Sequence, residues 1–170
     1  RGGSSIGVSK VNSWEDFPAA VDLALEDDEK ILVEPEILGQ EVEIGVLHYA
    51  DGTLLASVPA LLAGIDDSDE GFYGFDTKYL DNVVTAEIPA PFSPELTEKL
   101  RDMAIRAFEA LNCEGLSRVD FFVTKDSVYI NEINTLPGFT PISMYPQVLA
   151  ASGVEYPALL EALIEQALVK

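Results

Sequence analysis

The sequence predicts an α+β fold in which an antiparallel sheet is covered by helices. Two hairpin patterns and two helical stripes lead there. Val42, Ile44 and Val46 alternate with Glu41, Glu43 and Gly45, and Asp51-Gly52 then supplies a turn toward Leu54–Val58. Val119, Phe121 and Val123 alternate in the same way with Arg118, Asp120 and Phe122 before Lys125-Asp126 turns the chain into Val128–Ile133. Leu96, Leu100, Met103, Ala104, Ala107 and Leu111 repeat at helical spacing after Ser93-Pro94, as do Leu160, Leu163, Ile164, Ala167 and Leu168 after Pro157.

The remaining elements follow in order. Ser13 and Asp16 have the spacing of a capping box, and Phe17, Ala20, Val21, Ala24 and Leu25 share one face, which predicts a first helix over about 14–26. Ile31, Leu32 and Val33 form a short apolar run of strand character. Ala63–Asp81 combines six acidic residues with glycines, a serine and aromatics and has no sustained period. A loop of that length inside a compact domain is usually a lid or a binding loop.

Composition narrows the function classes. A chain of 170 residues with 48% apolar content is long enough to bury a core and fits one domain or one large lobe. Thirty acidic against ten basic residues give a net charge of −20, which leaves no basic stripe to replace counterions on a phosphate backbone, so nucleic acid is excluded as a partner. No apolar run approaches the roughly 18 residues of a membrane helix, and no charged-then-apolar segment opens the chain. The single cysteine, Cys113, lies among apolar helix residues and reads as a buried, inert thiol suited to a reducing cytoplasm. The chain starts at Arg1 inside a glycine-rich stretch without a methionine, and is expected to be a fragment of something longer.

Chemistry concentrates on the second hairpin. A turn at Lys125-Asp126 puts Asp120 roughly opposite Glu132, and the two-residue strand period puts Glu132 and Asn134 on one face, with Arg118 on the face of Asp120. Two carboxylates and an amide oxygen are hard ligands suited to magnesium, which keeps several waters and is commonly completed by nucleotide phosphates. An isolated Asp and Glu pair on an exposed hairpin is ordinarily just charged surface. Here Glu132 and Asn134 interrupt an otherwise apolar strand, where carboxylates call for a cation or hydrogen bonds.

From Glu132 the chain continues Ile133-Asn134-Thr135-Leu136-Pro137-Gly138-Phe139-Thr140, and this segment resembles ATP-grasp ligases. With Gly3-Ser4-Ser5-Ile6-Gly7, Glu34 to Glu41, Phe72-Tyr73, Lys78-Tyr79, Arg118-Val119-Asp120 and Ile142-Ser143-Met144-Tyr145-Pro146, the likeness is to the D-alanine:D-alanine ligases and runs through essentially the whole chain. It implies the ATP-grasp fold, with 1–35 as the end of the central subdomain, 36–170 as the C-terminal domain and a mobile loop at about 64–82. It also implies ATP and two Mg2+ ions, with Mn2+ as a substitute, in a cytoplasmic bacterial enzyme that makes D-alanyl-D-alanine for peptidoglycan precursors.

The resemblance assigns roles position by position. Asp120, Glu132 and Asn134 match the metal ligands, with Glu132 bridging two ions. Glu34 and the backbone through Ile37 match the adenine-reading segment, and Glu41 the carboxylate that accepts from ribose hydroxyls. Taken alone, those two glutamates read as solvated strand-end charges. Gly2–Gly7, with Ser4 and Ser5, matches a loop whose backbone N–H groups approach the triphosphate, although in isolation it could equally be a surface turn. Lys78 matches a lysine on the γ-phosphate, and Tyr79 a tyrosine bonded to Ser4. Phe72, Tyr73 and Phe75 suit either loop packing or a cover over substrate. Arg118 and the Gly138 amide match the groups that stabilise a tetrahedral oxyanion, and Ser143 with the Met144 backbone matches contacts to the carboxylate of the second D-alanine. His48 reads as a strand residue without chemistry.

Three rivals stand beside this reading. A D-alanine:D-lactate ligase departs from the pattern in the long loop, where Tyr79 favours the dipeptide enzyme; another ATP-grasp ligase fits Ile142–Pro146 poorly; a non-catalytic nucleotide-binding module would be expected to have lost Arg118 or Glu132. The family also has a lysine shortly before the glycine-rich loop, a second lysine upstream and an N-terminal domain that helps bind the first D-alanine, none of them within these residues, so the chain alone is expected to be inactive. Position 36 is Glu where an apolar or aromatic residue is common. Full-length relatives are typically dimers.

Overall fold

The computed structural model describes residues 6–63 and 85–169, and these fall into two compact units. The first holds the described residues up to Glu36 together with Thr85; the second holds Ile37–Ala63 and the chain from Ala86 onward. The long loop, the first five residues, and with them the positions of Ser4, Ser5, Tyr73, Lys78 and Tyr79, lie outside the described residues.

In the first unit, helix α1 covers Phe17–Asp27, starting three residues later than the sequence suggests. Asp16 is its N-cap residue but makes no side-chain cap, because its carboxylate accepts the Ser13 hydroxyl at 2.8 Å. The expected capping box is therefore not formed. Ile31–Val33 joins no strand among the described residues, and Leu32 and Val33 are exposed. An apolar triplet becomes a strand only with a partner for its backbone groups.

The second unit is built on β1, Gln40–His48. One edge of β1 pairs antiparallel with β5, Leu116–Val123; the other pairs with β2, Leu54–Ala56, through its C-terminal half and with β3, Ala60–Ala63, through its N-terminal half. Ser57 bridges the break between β2 and β3, its N–H donating to the Gly45 carbonyl at 2.8 Å and its hydroxyl accepting from the Gly45 N–H at 2.9 Å. β4, Thr85–Glu87, lies beyond β3, and β6, Val128–Asn134, beyond β5, giving the order β4-β3-β1-β5-β6.

Strand parity separates two cores. Val42, Ile44 and Val46 of β1 and Val119, Phe121 and Val123 of β5 point to one face, where they pack on helix α2, Pro94–Ala110. The Ser93 hydroxyl accepts from the Leu96 N–H at that helix's start, as the Ser93-Pro94 signal predicts. On the opposite face Leu47 and Leu116 meet α3, Met144–Ala151, and α4, Tyr156–Leu168. Tyr145 of α3 is wholly buried, and its hydroxyl donates to the Val46 carbonyl at 3.1 Å; burial first, and the nearby Tyr49 second, push its pKa well up. Among the described residues no helix is long and apolar enough to cross a membrane.

Two helical stripes differ from expectation. In α2 the buried residues are Leu100, Ala104 and Phe108, whereas Leu111 is 59% exposed beyond the helix end. In α4 they are Leu159, Ala162 and Gln166, and Leu160, Ile164 and Leu168 face outward. α4 is apolar around much of its circumference, so period alone does not set its phase; contact with Val148, Leu149 and Leu47 does. Cys113 is half-buried rather than fully enclosed, and burial raises its thiol pKa, in keeping with low reactivity.

These packings set two expectations. Phe108→Ala lowers stability in urea denaturation by about 3–5 kcal/mol, while Leu111→Ala changes it by less than about 0.5 kcal/mol. A Cβ at Gly45 would lie 2.5 Å from Leu149 Cδ2 and 3.1 Å from Tyr145 Cδ2, so Gly45→Ala costs about 1–3 kcal/mol on the same measurement, from overpacking.

Candidate active site

Helices α3 and α4 cover only part of their face of the sheet. The rest of that face carries the polar cluster that strand alternation predicts. Antiparallel pairing sets Glu43 of β1 opposite Asp120 of β5 and Asp120 opposite Glu132 of β6; one pair along, Gly45 lies opposite Arg118 and Arg118 opposite Asn134. Directly opposed residues project to the same face, so these side chains form two cross-strand rows.

A bulge makes this arrangement. From Val123↔Val128 to Phe121↔Ile130 the hairpin keeps the register of its two-residue turn at Lys125-Asp126, and the turn is closed by the Thr124 N–H on the Ser127 carbonyl at 2.8 Å. Between Phe121 and Asp120 the register moves by one, leaving Asn131 as the extra residue, and Asp120 then faces Glu132. A regular ladder would set Asn131 opposite Asp120 and turn Glu132 and Asn134 to the core face beside Val119.

The side chains are closely tied. Arg118 forks onto Asp120, Nε to Oδ1 and an Nη to Oδ2, both at 2.7 Å. The same Nε lies 3.2 Å from Glu43 Oε2, and the side chains of Arg118, Asp120 and Glu43 are 17%, 13% and 3% exposed. Asn134 Nδ2 donates to Asp120 Oδ2 at 3.0 Å and to Glu132 Oε1 at 3.3 Å, holding the two carboxylates near one point. No group of three or more His, Cys, Asp or Glu side chains arranged for a metal occurs among the described residues. The donor set here is instead two carboxylates and an amide, which fits a hard, water-keeping ion once the Asn134 amide presents its oxygen.

Four residues beyond β6, Gly138 begins the second part of the site. A Cβ there would meet Ser143 Oγ at 3.0 Å, so glycine leaves the backbone open to close approach. Ser143 is the N-cap residue of α3 but does not cap it with its side chain; its hydroxyl accepts from the Thr140 N–H at 3.0 Å and lies 2.9 Å from the Thr140 hydroxyl. Met144 opens α3, whose first amides lack partners within the helix. Phe139 packs on the rings of Tyr145 and Tyr156, and the Tyr156 hydroxyl donates to its carbonyl at 3.1 Å, fixing the segment's path.

The remaining predicted residues are less concentrated. Glu41 lies on the carboxylate face, opposite Phe122. Ile37 opens the second unit and Glu34 is an exposed residue of the first. Lys10 pairs with Glu36, so the unexpected glutamate has a surface partner within its own unit. His48 ends β1, contacts Phe108 edge-on and belongs to the α2 side of the sheet, away from the cluster. Glu43 was not singled out from the sequence; its parity with Glu41 in β1 was the available signal.

Known proteins resemble the chain throughout. Residues 1–165 match the family model described as D-ala D-ala ligase C-terminus. A D-alanine--D-alanine ligase of Corynebacterium efficiens is 65% identical over 168 residues, which are 99% of this chain and 46% of that protein. The solved D-alanine-D-alanine ligase of Coxiella burnetii superposes with a TM-score of 0.80 at 37% identity over 97% of this chain and 42% of that one. The D-alanine--D-Alanine ligase of Bacillus anthracis, complexed with ATP, gives 0.78 at 27% identity over 96% and 51%. The chain thus spans about half the length of the curated relatives it matches. With an antiparallel sheet flanked by helices, and with the matched region running almost end to end, the chain belongs to the D-alanine--D-alanine ligase family, to its C-terminal, ATP-grasp part.

Proposed function

We propose that this chain is the ATP-binding part of an enzyme that joins two D-alanines with release of ADP and phosphate, in the cytoplasmic supply of peptidoglycan precursors. The observation that carries this reading is the convergence of Arg118, Asp120, Glu132 and Asn134 on the open part of one sheet face, followed within a few residues by Gly138 and Ser143. Residues 1–35 are read as the end of the central subdomain and 36–170 as the C-terminal domain.

In this scheme a D-alanine carboxylate attacks the γ-phosphorus of ATP to form an acyl phosphate. The amine of the second D-alanine then attacks that carbonyl, and phosphate leaves from the tetrahedral intermediate. Asp120, Glu132 and Asn134 would hold two Mg2+ ions, or Mn2+, which supply charge neutralisation on the phosphates. Arg118 and the Gly138 amide stabilise the oxyanion, and a preformed cation and donor in a water-poor site contribute most where charge develops. Ser143 and the Met144 backbone take the carboxylate of the second D-alanine, with Thr140 keeping the serine hydroxyl turned toward Gly138. Glu41 takes the ribose, and Glu34 with Ile37 the adenine edge. Ser4, Ser5, Lys78, Tyr79 and Tyr73 are assigned to the phosphates and to the cover over substrate. The N-terminal region that relatives of twice this length possess is read as helping to bind the first D-alanine, and the full-length protein as a homodimer through surfaces partly outside these residues.

In the full-length ligase, phosphate release from ATP is expected to depend on D-alanine and to be weak with L-alanine or D-lactate as second substrate, while the 170 residues alone turn over none. Absence of D-alanine dependence in the full-length protein would remove the reading. Arg118→Ala is expected to lower kcat by about 100- to 1,000-fold with little change in ATP binding measured by titration calorimetry.

A further inference from the structure

We infer that Glu43 is the positioning residue for Arg118: it holds the guanidinium from the β1 side and continues to hold it when Asp120 turns to a metal ion. This rests on the proposed ligase reading of the same site.

Three features of the fold lead to Glu43. It is 2% exposed, in a strand paired on both edges, so its carboxylate has been taken out of water at a cost that only close partners offset. Its Oε2 lies 3.2 Å from Arg118 Nε. Gly45, directly opposite Arg118, has no side chain, so nothing from the neighbouring row of β1 stands over the arginine stem; a Cβ there would run into Leu149 and Tyr145 instead.

Arg118 thus has two acidic neighbours with different duties. Asp120 accepts its fork but also accepts from Asn134, and is read as a metal ligand. A carboxylate that coordinates a cation gives up part of its hydrogen bonding to the guanidinium. Glu43 lies farther from Glu132 and Asn134, on β1 across β5 from them. It keeps Arg118 aimed across the sheet when the competing ion arrives. Orientation of an oxyanion-stabilising group affects the transition state more than the ground state, so the loss is expected in kcat rather than in KM.

Two measurements on the full-length ligase test this. Glu43→Gln is expected to lower kcat by about 10- to 100-fold and to leave KM for ATP and D-alanine within about twofold; in an Arg118→Lys background it is expected to add less than about twofold, since the two act as one unit. In the 15N-labelled protein the Arg118 Nε–H resonance should stay sharp and slowly exchanging after addition of Mg2+ with ADP, and broaden or vanish on that addition in Glu43→Gln. An unchanged kcat, fully multiplicative effects in the double variant, or an Arg118 resonance indifferent to the substitution each overturns the positioning role. If the unsubstituted ligase itself shows no D-alanine-dependent phosphate release, it is the ligase reading that fails, and the resonance still reports whether Glu43 holds Arg118.

Discussion

Strand β1 is hydrogen-bonded along both edges and buried from Val42 to Leu47, and the rest of the second unit is arranged around that constraint. A strand so enclosed must put every side chain into a defined environment. Its even-numbered positions fill the α2 core with Val42, Ile44 and Val46. Its odd-numbered positions go to the other face, where Leu47 meets α3 and α4, Gly45 admits Tyr145 and Leu149 at contact distance, and Glu43 enters the polar cluster. Apolar packing and the site are therefore two parts of one face, divided at Gly45.

That division gives the site its rigidity. Arg118, Asp120, Glu132 and Asn134 stand on paired strands whose reverse face is the larger core, so their Cα positions are set by the sheet and their rotamers by one another. Gly138, Ser143 and Met144 stand on a segment anchored by Phe139, Tyr145 and Tyr156 to the α3 and α4 core. Two cores on opposite sides of one sheet thus fix the two parts of the site separately. The bulge at Asn131 belongs to the first part, because it is what puts the side chains of Glu132 and Asn134 on the face of Asp120 and Arg118.

Much of this was legible in the residues. The Arg118/Asp120 and Glu132/Asn134 alternations named the polar face, and Asp51-Gly52, Lys125-Asp126 and Ser93-Pro94 located two turns and a helix start from local backbone chemistry alone. What was not legible depended on neighbours. Ile31–Val33 has strand composition but no strand partner among the described residues, and Ser13 with Asp16 has capping spacing but bonds side chain to side chain. Glu43 looks like any alternating glutamate until β3 and β5 close over it.

The sequence by itself determined which residue types alternate, where the chain turns, and, through its motifs, the family to which it belongs, because these depend on neighbours only a few positions away. Tertiary structure decided the rest. It set the buried side of α4, which is apolar around too much of its circumference to choose its own phase. It also set the one-residue bulge that brings Glu132 rather than Asn131 to Asp120. A hairpin fixes its register from the turn outward only while the ladder stays regular, and where it breaks, burial of Val119, Ile133 and Phe121 against α2 determines which face each later side chain takes.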